Sequence, residues 1–191
     1  MTEVDSHHMT YGYLQDFLTG ETLVDTDDER YRQHLARLLV EEKGFAKEEI
    51  ESRLKIETLF AGRFVLSRID FLIRLAGRPL LLLRYGPGSL VTRQRPALAA
   101  ARVLDPQGVI PLTVVSNGQD AEVMDSYSGK VVAQGLGAIP ARWELRQQEA
   151  ALENRPLPAG QREPELRILN AFDYEACCAG DPCALPRAPE G

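Results

Sequence analysis

Apolar residues change rhythm along the 191-residue chain, and each rhythm predicts an element. Tyr31, Leu35, Leu38 and Leu39 recur at helical spacing behind the acidic run Asp25-Thr26-Asp27-Asp28-Glu29. Thr26 and Glu29 stand at capping-box separation, the acids complement the positive end of the helix dipole, and Gly44 supplies a stop. His34 lies beside the stripe and is expected to be half-buried. A short polar helix is expected over residues 47–51. From residue 64 the period shortens to two. Ile69, Phe71, Ile73 and Leu75 are assigned to one strand face, and Arg68, Asp70, Leu72 and Arg74 to the other. Ala76-Gly77-Arg78 predicts a hairpin turn. Residues 80–85 show no alternation, which predicts a central strand buried on both faces and ended by Gly86-Pro87-Gly88.

An alanine-rich helix is predicted over residues 95–104, with Pro96 near its first turn. Residues 110–116 form another apolar run, closed by Asn117-Gly118. Residues 121–126 and 130–134 predict a second hairpin around Ser128-Gly129, and a helix follows near residues 140–153. Half of the twelve prolines come after residue 155. The expected organisation is a flexible leader over 1–13, one domain over 14–154 and a Pro-rich tail over 155–191 carrying a short helix near 165–175. This order of elements predicts an α/β fold, a mixed central sheet flanked by helices.

Composition narrows the classes. Hydrophobic residues at 44% and charged residues at 26% fit a globular domain rather than a disordered or fibrous chain. The longest apolar run, Pro79 to Leu83, is far short of a membrane helix, and no basic-then-apolar segment opens the chain. A cytoplasmic protein with no membrane partner is expected. Cys177, Cys178 and Cys183 cannot close a disulfide framework, and zinc would need a fourth ligand, so free thiols are expected. No P-loop, dinucleotide fingerprint or nucleophilic triad spacing is present.

A net charge of -6 argues against nucleic acid, but its distribution reverses that inference. Between Phe60 and Leu104 eight arginines face the single acid Asp70, a local excess of seven positive charges within an otherwise acidic chain. All four lysines lie elsewhere, and a guanidinium fork suits phosphate. Arg93 and Arg95, with Ser89 and Thr92 nearby, follow the Gly-Pro-Gly turn and open a helix, a plausible phosphate contact. The alternative is that these arginines tie the loop to carboxylates elsewhere in the chain.

Several pieces, in order, resemble the N-terminal domain of type I restriction enzyme R subunits. They are residues 16–20, 26–30 and 39–44, then a strand holding Asp70, a hairpin, an apolar strand ending in Gly-Pro-Gly, a helix, and Val114-Val115-Ser116-Asn117-Gly118. The resemblance spans roughly residues 14 to 135 and implies a restriction-endonuclease-like, PD-(D/E)xK fold. In such a fold an Asp and the Glu of a Glu-x-Lys on the paired strand hold Mg²⁺ or Mn²⁺ beside the scissile phosphate, and the Lys stabilises charge and positions the attacking water. Asp70 matches the first carboxylate and metal ligand, and Glu29 stands where a helix-borne Glu assists. The Glu-x-Lys half is replaced by Leu83-Arg84-Tyr85.

The resemblance therefore implies a DNA- or polyanion-binding protein with a decayed site, needing no cofactor. Arg68, Arg74, Arg84, Arg93 and Arg95 are its candidate nucleic-acid contacts. Asp70 on that reading is a salt-bridge acceptor for Arg68, Arg74 or Arg84. Two alternatives stand beside it: a Mg²⁺- or Mn²⁺-dependent endonuclease using Asp70 and Glu29, and a non-catalytic scaffold or interaction protein. Self-association is left open.

Overall fold

The computed structural model describes residues 10–177, with side chains through Asp173. A hairpin of β1 (Thr10–Gln15) and β2 (Thr22–Thr26) leads into α1 (Asp27–Arg37), which a π-helical turn (Leu38–Glu42) extends. A 3₁₀ turn over Lys47–Glu49 precedes β3 (Ile50–Phe60), β4 (Arg63–Leu75), β5 (Arg78–Tyr85) and α2 (Val91–Val103). Then come β6 (Leu112–Ser116), β7 (Ala121–Asp125), β8 (Val131–Gln134), α3 (Arg142–Gln148) and α4 (Arg162–Cys177). The second sheet has the order β3-β4-β5-β6-β7-β8, with β5 and β6 parallel and every other pair antiparallel. The mixed α/β architecture expected from the sequence is the one observed.

Local chemistry explains the connections. Ala76 and Gly77 both have positive φ, 50° and 81°, the mirror-image turn whose twist matches an antiparallel pair. Strands β5 and β6 run parallel, so a crossover is required, and α2 provides it. β5 is the central strand predicted, with Leu80 to Leu83 all fully buried. Its odd positions Leu81, Leu83 and Tyr85 pack with Leu35 and Leu39 of the α1 segment, while Leu82 packs with the alanines of α2 and Leu169 of α4. The sheet thus lies between two helical layers, and no described helix is long and apolar enough to cross a membrane.

Several expectations are corrected. The sequence pattern predicts no strand where β3 lies, and the polar helix over 47–51 shrinks to the 3₁₀ turn because Ile50 and Glu51 already pair with β4. Thr10 to Tyr13, assigned to the leader, are strand residues paired with β2. α2 begins at Val91, which leaves Pro96 inside the helix rather than in its first turn. His34 is exposed rather than half-buried.

The largest revision concerns the expected tail. α4 has 16 residues and belongs to the folded body: Leu169 is fully buried and the Asn170 amide donates to the Thr58 hydroxyl at 3.0 Å. The leader before Thr10, Cys178 and Cys183 lie outside the described residues.

Candidate site around Asp70

The face alternation predicted for β4 fails at Asp70, and that failure builds the site. Phe71, Ile73 and Leu75 join the α1-side core as expected, but Ile69 packs on the opposite side with Leu72. Across from Asp70, Arg53 of β3 adopts a left-handed φ of 58°, and the β3–β4 register passes directly from Ser52↔Phe71 to Leu54↔Ile69. Such a conformation costs a non-glycine residue about 1–2 kcal/mol. Asp70 and the Arg53 side chain both reach the α1 side, where they meet Arg32 and Glu29.

Five side chains then alternate in charge. Arg32 Nε donates to Asp70 Oδ1 at 2.7 Å, and Arg32 Nη1 lies 3.7 Å from Glu29 Oε2. Arg53 Nη2 donates to Glu29 Oε1 at 2.6 Å and to Asp16 Oδ2 at 2.9 Å. The Gln33 amide fills in between, donating to Glu29 at 2.9 Å and to Asp16 at 3.3 Å. Asp70 Oδ2 accepts the Tyr85 backbone N–H at 2.7 Å, so both oxygens of Asp70 are occupied. The Tyr85 hydroxyl donates to Asp28 at 3.0 Å, and its ring stacks on Tyr31 at 5.9 Å.

Placement follows from local structure. Thr26 caps α1 by accepting the Glu29 N–H at 3.1 Å, which sets the first turn and aims Glu29 and Arg32 at the sheet. The reciprocal half of the predicted capping box is absent, since the Glu29 carboxylate is held by Arg53 and Gln33.

Electrostatics follow the same pairs. Burial works against ionised Asp16, but the Thr19 and Leu18 N–H groups together with Arg53 and Gln33 outweigh it and hold the carboxyl below its usual value. Burial also works against the charge on Arg32, and neighbouring Asp70 more than offsets it. Arg53 is kept charged against burial by Glu29 and Asp16. Burial, with the bond to Asp28, pushes the Tyr85 phenol well above its ordinary value.

These residues do not fit a divalent ion. Mg²⁺ needs several oxygens at close range and usually keeps waters. Here the void among Asp16, Arg32, Gln33, Ser52, Arg53 and Asp70 is about 10 Å³, room for at most one water. Leu83, where the resemblance expects the glutamate, is fully buried in the core, and Tyr85, where it expects the lysine, packs in the same cluster. Among the described residues no group of three His, Cys, Asp or Glu side chains is placed to hold a metal. Asp70 and Glu29 do lie near each other, but a guanidinium stands between them. Asp70 is a salt-bridge acceptor as read from the sequence, with a different donor: its partner is Arg32 of α1.

The arginines nominated for nucleic acid do not converge. Arg84 points to the α4 side, where its Nη2 alone donates to both oxygens of Asp173, 3.1 Å to each. Arg95 pairs with Glu165 at 2.6 Å, beside Arg102 on the same carboxylate at 2.8 Å. Arg74, at the far end of β4, pairs with Glu51 at 2.6 Å. Carboxylates of the same chain therefore hold three of the five. Arg68 is exposed on β4 opposite Lys55. Arg93 is exposed beside the Gly86–Gly88 loop, donating to the Pro87 carbonyl at 3.3 Å.

Sequence reasoning missed Asp16, Arg32, Gln33 and Arg53. Arg32 and Gln33 follow Glu29 by three and four residues, a helical spacing that was available as a signal. Nothing marked Arg53.

No curated protein and no solved structure matches the chain. A family model does: Type I restriction enzyme R protein N terminus (HSDR_N) matches residues 27–140. The match runs from the first residue of α1, through the Asp70 hairpin, to the end of the sheet. On that span the chain belongs to the family of type I restriction enzyme R protein N-termini.

Proposed function

We propose that this chain is a non-cleaving member of its family that binds nucleic acid by its phosphates. The observation that carries the first half is the engagement of both Asp70 oxygens, one by Arg32 and the other by the Tyr85 N–H. A carboxylate with both oxygens engaged, beside a buried leucine where a second ligand is needed, lacks the means to hold a metal at a scissile bond. Membership of a restriction-enzyme family supports DNA as the partner class. The segment proposed to meet phosphate is the start of α2. Leu90 gives the helix no side-chain cap, and with the Arg93 N–H bonded to the Leu90 carbonyl at 2.8 Å, the first two residues, Val91 and Thr92, are exposed beside Arg93.

Fluorescence anisotropy of a labelled duplex across a salt series tests this reading. Wild type is expected to bind more weakly as salt rises, with R93E reducing affinity and lowering the log–log slope by about one. An unchanged slope in R93E would remove α2 from the interface. Mn²⁺-dependent plasmid cleavage that D70N abolishes would overturn the non-cleaving half.

One observation favours a second reading, a non-catalytic interaction module: Arg74, Arg84 and Arg95 are spent on internal pairs. It predicts no duplex binding even at low salt.

A further inference from the structure

Arg53 Nη2 is a single cationic nitrogen within 2.9 Å of oxygens from two different carboxylates, Asp16 and Glu29. Its approach is forced. The residue sits at φ 58°, a region arginine rarely adopts, and its Nε is buried without a hydrogen-bond partner. An unfavourable backbone and an orphaned donor persist only when the surrounding structure over-determines the position. Arg32 occupies the corresponding place between Asp70 and Glu29, at 2.7 and 3.7 Å. The three acids come from the β1–β2 connection, the first turn of α1 and β4, and the two arginines from α1 and β3. Without a cation, these carboxylates would repel one another.

We infer that the cation of this pocket is built into the chain. Arg53 and Arg32 do the charge-neutralising work that a divalent ion would otherwise do, and they clamp the β1–β2 connection and α1 to β3 and β4 permanently and without metal. The inference rests on the non-cleaving reading above but goes further. Non-cleavage would follow from loss of the glutamate and lysine alone, whereas a built-in cation makes the protein indifferent to divalent ions until the arginine is removed.

The test uses the full chain, titrated with Mn²⁺ by calorimetry and melted with and without Mn²⁺ or EDTA. Wild type is expected to show no saturable Mn²⁺ binding and an unchanged melting temperature in either additive. Arg53→Gly removes the guanidinium and suits the left-handed backbone. This variant is expected to gain saturable Mn²⁺ binding and a rise in melting temperature with Mn²⁺, both lost when Glu29→Gln is added. Arg53→Lys, which restores a positive charge, is expected to lose the gain. Should Arg53→Gly fail to fold alone, recovery of its circular dichroism spectrum on adding Mn²⁺ supports the inference, and no recovery counts against it. A folded Arg53→Gly that ignores Mn²⁺ overturns the built-in cation but leaves the non-cleaving reading standing. Saturable Mn²⁺ binding by wild type overturns both.

Discussion

Asp70→Asn separates a clamped carboxylate from a metal ligand by the sign of its effect on stability. In a pocket waiting for a metal, carboxylates repel one another, and neutralising one stabilises the metal-free protein. In this pocket Asp70 accepts a charge-assisted bond from Arg32 at 2.7 Å and a backbone N–H from Tyr85 at 2.7 Å. Asparagine keeps the shape but has one oxygen, so its amide must face one of the two donors. The loss of a charge-assisted bond is about 1.5–3 kcal/mol. Arg32 is 28% exposed and can turn to water or to Glu29, which discounts the figure to about 1–2 kcal/mol. For a domain of this size that lowers the melting temperature by roughly 3–6 °C.

Arg32→Met should cost more, about 3 kcal/mol, because it strands a carboxylate that is only 8% exposed. In the double variant that stranded charge is gone, so its cost should fall well below the sum of the singles. Urea denaturation of the four proteins without added metal, at one pH and ionic strength, reads all three quantities. A stabilising Asp70→Asn, or an additive cycle, would refute the clamp.

Three further outcomes follow from the same geometry. Asp173→Asn removes the charged partner of Arg84, whose Nη1 is already buried without a partner, and should cost about 2 kcal/mol in urea denaturation. The Tyr85 phenol is raised above its ordinary pKa of 10.0, so the folded state keeps a proton that the unfolded state releases. The associated stability is complete below pH 10.0 and is lost as pH climbs toward the raised value; melting curves of Tyr85→Phe should show a smaller loss over that alkaline range. Gly118→Ala would set a Cβ 2.3 Å from the Tyr31 ring at a φ of 86°, and should cost about 2 kcal/mol and disturb the Tyr31–Tyr85 stack, seen in near-ultraviolet dichroism.

How far the sequence could be read depended on whether neighbours along the chain or across space set each conformation. Leu80 to Leu83 announced a central strand because an unbroken apolar run has no solvent face to display, and Asn117-Gly118 announced its turn by backbone chemistry alone. β3 was overlooked because it is an edge strand. Its buried side reads Ile56 and Thr58, and its outer side carries Lys55 and Glu57, so polar residues dilute the alternation. α4 was underrated because prolines surround it, although Leu166, Leu169, Asn170 and Asp173 already share one helical face. The site resisted for a different reason. The face of Asp70 is decided by a left-handed arginine on another strand, and no local preference of arginine foretells that backbone.

The charge of the middle segment shows how folding changes the meaning of a count. Of the eight arginines between Phe60 and Leu104, at least five meet acids of the same chain: Arg74 with Glu51 and Asp105, Arg78 with Glu149, Arg84 with Asp173, and Arg95 and Arg102 with Glu165. Each acid comes from outside the segment, and two lie on α4, beyond the family-matched residues. A closed ion pair projects little field past a Debye length of about 8–10 Å, so these five contribute structure rather than attraction. A duplex that met all eight would release counterions with a log–log salt slope near −7. If these five pairs stay closed, the segment can supply no more than three contacts and a slope no steeper than about −3. A measured slope well beyond that, reduced by charge reversal at Arg84 or Arg95, would mean that α4 gives up its arginines on binding. A shallow slope that moves with Arg93 alone would mean that the acids of this chain have already taken the place of the phosphates.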